Sequence, residues 1–140
     1  MSRDALKEAR RVQLMEATID CIAARGFSDL TLADVAKAAG LSVGIVNFYF
    51  KSKDALLIET LRHLVDDYIQ QTNDNIRNAG TTAAAQIEAA IESDFHRTVA
   101  NRKKVTVWYA FWGEARWRPE FLKTCQEISD AFHVETREIF

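Results

Sequence analysis

Apolar residues recur along most of this chain at intervals of three and four, the period of an amphipathic helix, and there is no Asn-Gly or Asp-Gly hairpin signal. Val12, Met15, Ile19, Ile22 and Ala23 mark one face of a first helix over residues of about 6–25, and Gly26 stands where a C′ glycine ends it. A second start follows. Thr31 precedes Leu32, and Asp34 comes three residues later as a short version of the capping box, with Leu30 and Val35 at the two positions of a hydrophobic staple. The spacing predicts a helix over Leu32–Ala39 that buries Leu32, Val35, Ala36 and Ala39 and stops at Gly40. Ser42 is placed to cap a short helix over 43–50 with Val46 and Phe50 inward. Ser52 is placed to cap a long one from Lys53 to about Ala79, striped by Leu57, Leu61, Leu64 and Tyr68.

Gly80 closes that helix, and Thr81 or Thr82 caps a fifth through Ala100 with Ile87, Ile91 and Phe95 inward. Val105–Trp117 has the β-branched and aromatic content of a buried strand, but a lone strand would have no partner, so a helix is expected. Pro119 fits the first turn of a last helix, with Leu122, Cys125, Ser129, Phe132 and Thr136 along one side. The expected fold is all-α: a three-helix unit over 1–52 and a second helical unit over 53–140, joined by the long helix. The pattern reaches Phe140 with no C-cap, so the second unit is expected to be incomplete there.

Three consecutive aromatics, Phe48, Tyr49 and Phe50, cannot share one core face, because helical neighbours point about 100° apart. Phe50 is expected inside with Val46, leaving Phe48 and Tyr49 outward or at the rim. Two short helices joined at AAGLS form a helix-turn-helix, in which the first crosses a phosphate backbone and the second offers its exposed side chains to the major groove. Charge agrees mildly. The net charge is −2, but residues 1–53 hold eight Lys/Arg against six Asp/Glu and residues 54–140 ten against fourteen.

Composition narrows the remaining classes. No apolar run approaches the roughly 18 residues that cross a bilayer, so no membrane partner is expected. Cys21 and Cys125 are isolated, which suits a reducing cytoplasm. His63, His96 and His133 are also isolated, and no HExxH, GxSxG, Walker loop or GxGxxG is present. Neither catalysis nor a metal or cofactor is expected.

The span from about Arg11 to Leu57 resembles the TetR family of bacterial transcriptional regulators, through ARGF, then TLADVAKAAGLS, then GIVNFYFKSKDALL. The resemblance implies an all-helical homodimer with an N-terminal DNA-binding unit and a C-terminal ligand-sensing unit, most often a repressor that a small effector releases from a near-palindromic operator. Tyr49 matches a family position that contacts phosphate. Lys53 matches the family's lysine at the start of the long helix, where the helix dipole also favours an anion. Thr31 and Ser42 are further phosphate candidates, as are Arg10 and Arg11, with Lys7, in the N-terminal arm. Where the family commonly has threonine, an aliphatic residue and tyrosine, this chain has Ile45, Val46 and Asn47. Asn47 is therefore the leading base reader, since its amide can pair with adenine N6 and N7. Val43, Gly44, Ile45 and Phe48 could contact thymine methyls, Gly44 by close backbone approach.

WYAFWGEARWRPEF gathers Trp108, Tyr109, Phe111, Trp112 and Trp117. One reading is a core helix. The other is an aromatic box for a cation, held by ring quadrupoles, with Asp94 or Glu114 completing the charge. GIVNFYF without the usual tyrosine, followed far downstream by AFW and a later Pro–x–Phe–Leu, is similar to the BetI-like branch of the family, repressors of glycine-betaine synthesis that respond to choline. Trp108 and Trp112 are carried over as pocket candidates, with Tyr109 and Trp117 beside them. A DNA-binding protein without a small-molecule switch is the rival reading, since a filled aromatic core would look the same.

Overall fold

The computed structural model describes residues 2–139, and the side chains of Glu135, Thr136 and Ile139 are outside that description. Among the described residues there are seven helices and no strand: α1 (Arg3–Arg25), α2 (Leu32–Ala39), α3 (Val43–Tyr49), α4 (Lys53–Asn78), α5 (Ala83–Phe95), α6 (Arg102–Ala115) and α7 (Pro119–Ile139). None is long and apolar enough to cross a membrane.

The chain forms two compact units, one up to His63 and one from Leu64 on. The division falls inside α4 rather than at its start. Leu56, Leu57 and Leu61 are buried with the first unit's residues, and His63 Nε2 meets Glu16 Oε1 at 2.8 Å, which ties the early turns of α4 to α1.

In the first unit, each cap read from the sequence is formed. Thr31 Oγ1 accepts from the Asp34 amide at 3.1 Å while the Asp34 carboxylate accepts from the Thr31 amide at 3.0 Å, a reciprocal capping box. Leu30 and Val35 beside it are both buried. Gly40 ends α2 in the left-handed region at φ 68°, where an L side chain would be strained, and its amide reaches the carbonyls of Ala36 and Lys37. Ser42 caps α3 through the Ile45 amide, and Ser52 caps α4 through the Ala55 amide. Leu14, Ile22, Val35, Val46, Phe50 and Leu57 fill the interior.

The second unit departs more from expectation. Helix α5 ends at Phe95, not Ala100. His96 is extended, and its carbonyl instead accepts from the Val99 and Ala100 amides in a turn. Asn101 then caps α6 through the Lys104 amide. The inward face of α5 also differs. Ile91 is 55% exposed and Phe95 80%, while Ser93 is buried, accepting from Asn75 Nδ2 and donating to the Ala89 carbonyl, both at 2.8 Å. The ambiguous aromatic segment is helical in α6, as expected, burying Val107, Phe111 and Ala115. On α7 the buried residues are Phe121, Thr124 and Cys125, whereas Leu122 and Ser129 are exposed. Phe121 and Phe111 meet edge-on at 6.0 Å, which sets the α7 face about one position away from the one expected. The Thr136 side chain lies outside the described residues.

Candidate nucleic-acid interface and ligand cavity

Helix α3 has one buried residue, Val46, and Phe50 just past its end is buried too. The rest of its surface is offered outward. Val43 is 40% exposed and Ile45 37%, Asn47 is exposed, and Phe48 is 77% exposed with its ring edge-on to Tyr49 at 5.1 Å. A Cβ at Gly44 would meet nothing nearer than Ser42 Oγ at 3.8 Å, so the fold itself does not demand glycine there. Helix α3 is thus anchored inward by Val46, with Phe50 following at its C-cap, and shows solvent an apolar face that includes the Asn47 amide.

The phosphate candidates divide. Lys53 opens the first turn of α4, and Ser42 is exposed with its hydroxyl oxygen accepting from Ile45, which leaves the hydroxyl proton for another acceptor. Arg10 Nη1 donates to Gln13 Oε1 at 2.8 Å. Two others are committed within the protein. Both donors of Thr31, its amide at 3.0 Å and its hydroxyl at 2.7 Å, go to Asp34 Oδ2, so they face a carboxylate rather than open solvent. Arg11 donates to the Tyr49 carbonyl at 3.0 Å, pairs with Glu59 and lies 4.7 Å over the Phe50 ring. It is a buttress between α1, α3 and α4. The sequence concealed this because Arg11 reads as part of a basic run, and only the fold brings Glu59 to it.

In the second unit a cavity of about 490 Å³ is lined by Tyr68, Asp94, Val99, Ala100, Val105, Trp108, Trp112, Ile128, Ser129, Phe132 and His133. Of the residues expected at a pocket, Trp108, Trp112 and Asp94 are there. Tyr109 and Trp117 are not: each is 75% exposed, and Trp117 lies under the Arg116 guanidinium at 5.2 Å. Glu114 is also outside, paired with Arg118 at 3.0 Å. The register of α6 explains the sorting, since Trp108 and Trp112 are four apart on one face and Tyr109 is turned about 100° away.

The residues missed are Tyr68, Phe132 and the 96–100 turn. The rings of Tyr68 and Phe132 stand 5.2 Å apart, and the Tyr68 hydroxyl donates to Asp94. Burial, and then that bond, push the Tyr68 phenol up to about 12, so it remains a protonated donor. Tyr68 was legible as part of α4's stripe but not as a wall, because its hydroxyl partner lies 26 residues on. On either side of Val99 and Ala100, Thr98 Oγ1 donates to Gln71 Oε1 at 2.6 Å and Lys104 Nζ reaches Asp67 Oδ2 at 2.8 Å, which ties both ends of the segment to α4. The two thiols are not activated: burial pushes both Cys21 and Cys125 up, with Asp34 adding to the effect at Cys21.

A capped helix-turn-helix in one unit, an aromatic cavity in the other and only helices among the described residues define the class of helix-turn-helix regulators. Residues 14–60 match the family described as bacterial regulatory proteins, tetR family. Over all 140 residues the chain is 34% identical to the HTH-type transcriptional regulator BetI of Paraburkholderia xenovorans, of which it covers 68%, and over 119 residues it is 35% identical to BetI of Paraburkholderia phytofirmans, of which it covers 61%. The chain belongs to the TetR family, and spans about two-thirds of the length of these relatives. Among solved structures, a transcriptional regulator from Pseudomonas aeruginosa superposes with a TM-score of 0.84 at 23% identity, covering 94% of this chain and 64% of that one. A regulator from Saccharomonospora viridis, solved in complex with choline, superposes with a TM-score of 0.79 at 23% identity, covering 94% and 68%.

Proposed function

We propose that this chain is a cytoplasmic, sequence-specific DNA-binding transcriptional regulator, a homodimeric repressor that leaves a near-palindromic operator when a small quaternary-ammonium cation such as choline fills the cavity. The outward face of α3 carries the DNA reading: its apolar side chains and Asn47 are exposed while Val46 alone is buried. Asn47 reads a base, Val43, Gly44, Ile45 and Phe48 pack on thymine methyls, and Ser42, Tyr49, Lys53 and Arg10 hold phosphates.

The cavity supports the cation. Trp108, Trp112, Tyr68 and Phe132 line it, aromatic rings whose faces attract a cation by about 0.5–2 kcal/mol per good contact, and Asp94 supplies the opposite charge. A quaternary ammonium suits it because such a cation has no proton to donate and loses little by leaving water for aromatic walls. The Saccharomonospora neighbour that binds choline is consistent with this chemistry.

The test has two stages. A duplex is first selected from a random pool by the purified protein; choline is then titrated in a calorimeter while tryptophan emission and duplex release are followed. Saturable heat, quenching and release, all abolished in a folded Trp108→Ala variant, are expected. Failure to enrich any sequence would overturn the regulator reading. Enrichment without choline heat would overturn the cation reading and leave the effector to other chemistry.

A further inference from the structure

A second groove, of about 340 Å³, lies within the second unit and shares no lining residue with the aromatic cavity. Its polar lining comes from Asn75 and Asn78 at the end of α4 and from Glu92, Ser93 and His96 at the end of α5. Asn75 and Asn78 are three residues apart, and Glu92 and His96 four, so each pair stands on one face about a turn apart. No lysine or arginine lines the groove.

Hydroxyl protons decide what these side chains have left to offer, since each hydroxyl has only one. Ser93 Oγ gives its proton to the Ala89 carbonyl at 2.8 Å, so toward Asn75, also at 2.8 Å, it can only accept. The Asn75 amide therefore turns its NH2 to Ser93 and keeps its oxygen as an acceptor. A second chain of bonds follows the turn after α5. Gln71 Nε2 donates to the Asp67 carboxylate at 3.0 Å, so Gln71 Oε1 is the atom that faces Thr98 and takes the hydroxyl proton at 2.6 Å. Thr98 Oγ1, its own proton placed, accepts from His96 Nδ1 at 2.9 Å. The Thr98 amide also approaches Nδ1, at a longer 3.3 Å, and yields to the shorter contact. With the ring proton on Nδ1, the neutral imidazole carries its lone pair on Nε2.

We propose that this groove binds a divalent transition-metal ion of the zinc, nickel or cobalt kind through His96 Nε2, the Glu92 carboxylate and the Asn75 amide oxygen. Three acceptors, one of them anionic, in a groove without lysine or arginine call for a cation. The imidazole nitrogen selects a borderline ion over magnesium or calcium, which take oxygen. Among the described residues no three of His, Cys, Asp and Glu come together, so an ion here needs the amide oxygen as well. The bonds from His96 Nδ1 through Thr98 to Gln71 fix the tautomer and ring angle, as an outer hydrogen bond does for metal-binding histidines generally. The partial negative charge at the C-terminal end of α5 adds to the attraction. Such an ion clips the end of α5 to α4 beside the Asn75–Ser93 bond, and requires neither DNA nor an organic cation.

The experiment titrates cobalt(II) into the protein in a calorimeter and follows paramagnetic broadening in amide NMR spectra. One equivalent is expected to bind, with broadening centred on residues 75–78 and 92–98. His96→Gln and Glu92→Ala each abolish it; both positions are exposed, and far-UV circular dichroism checks that the fold is kept. Thr98→Val removes the hydroxyl that orients His96 without touching a ligand, and weakens binding about 10–100-fold. Absence of saturable heat at millimolar cobalt(II) overturns the site. So does binding that survives His96→Gln, broadening centred on His63 or His133, or full affinity in Thr98→Val.

Discussion

Arg11→Met separates a structural arginine from a phosphate-binding one. The replacement keeps the aliphatic stem against the interior and removes three interactions: the bond to the Tyr49 carbonyl, the pair with Glu59 and the cation over Phe50. A hydrogen bond from a charged donor contributes about 1.5–3 kcal/mol. The ion pair contributes at most about 1 kcal/mol, because the Glu59 side chain is 42% exposed and solvent screens it. The ring contact adds about 0.5–1 kcal/mol. These terms are not additive, and fixing one long side chain costs up to about 2 kcal/mol of rotamer entropy, so the net loss is about 2 kcal/mol. That corresponds to roughly a thirtyfold fall in the folding equilibrium constant. Urea unfolding followed by circular dichroism measures it, and the same protein is assayed for the salt dependence of duplex binding. The structural role demands reduced stability with the salt slope unchanged. Unchanged stability with a slope shallower by about 0.9 would refute it and return Arg11 to the phosphates.

Asn47→Ala should lose about 1–3 kcal/mol on the selected duplex and discriminate less at a single base pair; equal loss on every sequence would remove Asn47 from the readers. Asp34 gives a pH signature. The Thr31 hydroxyl and amide, with Arg25 adding charge, hold its carboxyl below the usual carboxylate range. A lowered folded-state value means its stabilisation is complete above the unfolded value of about 4 and lost as pH falls through the folded one. Acid unfolding of Asp34→Asn should lack that component; a profile identical to the parent's would show that the capping box is not closed in solution.

The fold was legible where local chemistry decides it and obscure where tertiary partners do. Thr31, Gly40, Ser42 and Ser52 announce their roles because a cap needs only its own next turn. Helix α5 could not announce its face. AAAQIEAAIESDF scatters its polar residues round the helix between small alanines, so Ile91 and Phe95 had little more claim to the interior than the Ala89–Ser93 side, and the bond from Asn75 to Ser93 is invisible until the chain is folded. The sites sorted similarly. The exposure of Phe48 followed from sterics, since three adjacent aromatics exceed one face. The capture of Thr31 and Arg11 by internal carboxylates did not, because a donor looks the same in sequence whether its acceptor is Asp34, Glu59 or a phosphate. In the cavity, Trp108 and Trp112 were separable from Tyr109 by helical phase, while Trp117 falls just past the end of α6, where that phase no longer applies.

All three tryptophans lie between residues 108 and 117, within the second unit, and the first unit has Tyr49 as its sole tyrosine. Excited at the red edge of indole absorption, the protein is therefore optically silent over the whole helix-turn-helix. Direct contact of α3 with a duplex has no indole to perturb. A change in tryptophan emission when DNA is added would be a disturbance that has travelled, and the same signal that counts cation occupancy in the cavity would time its arrival.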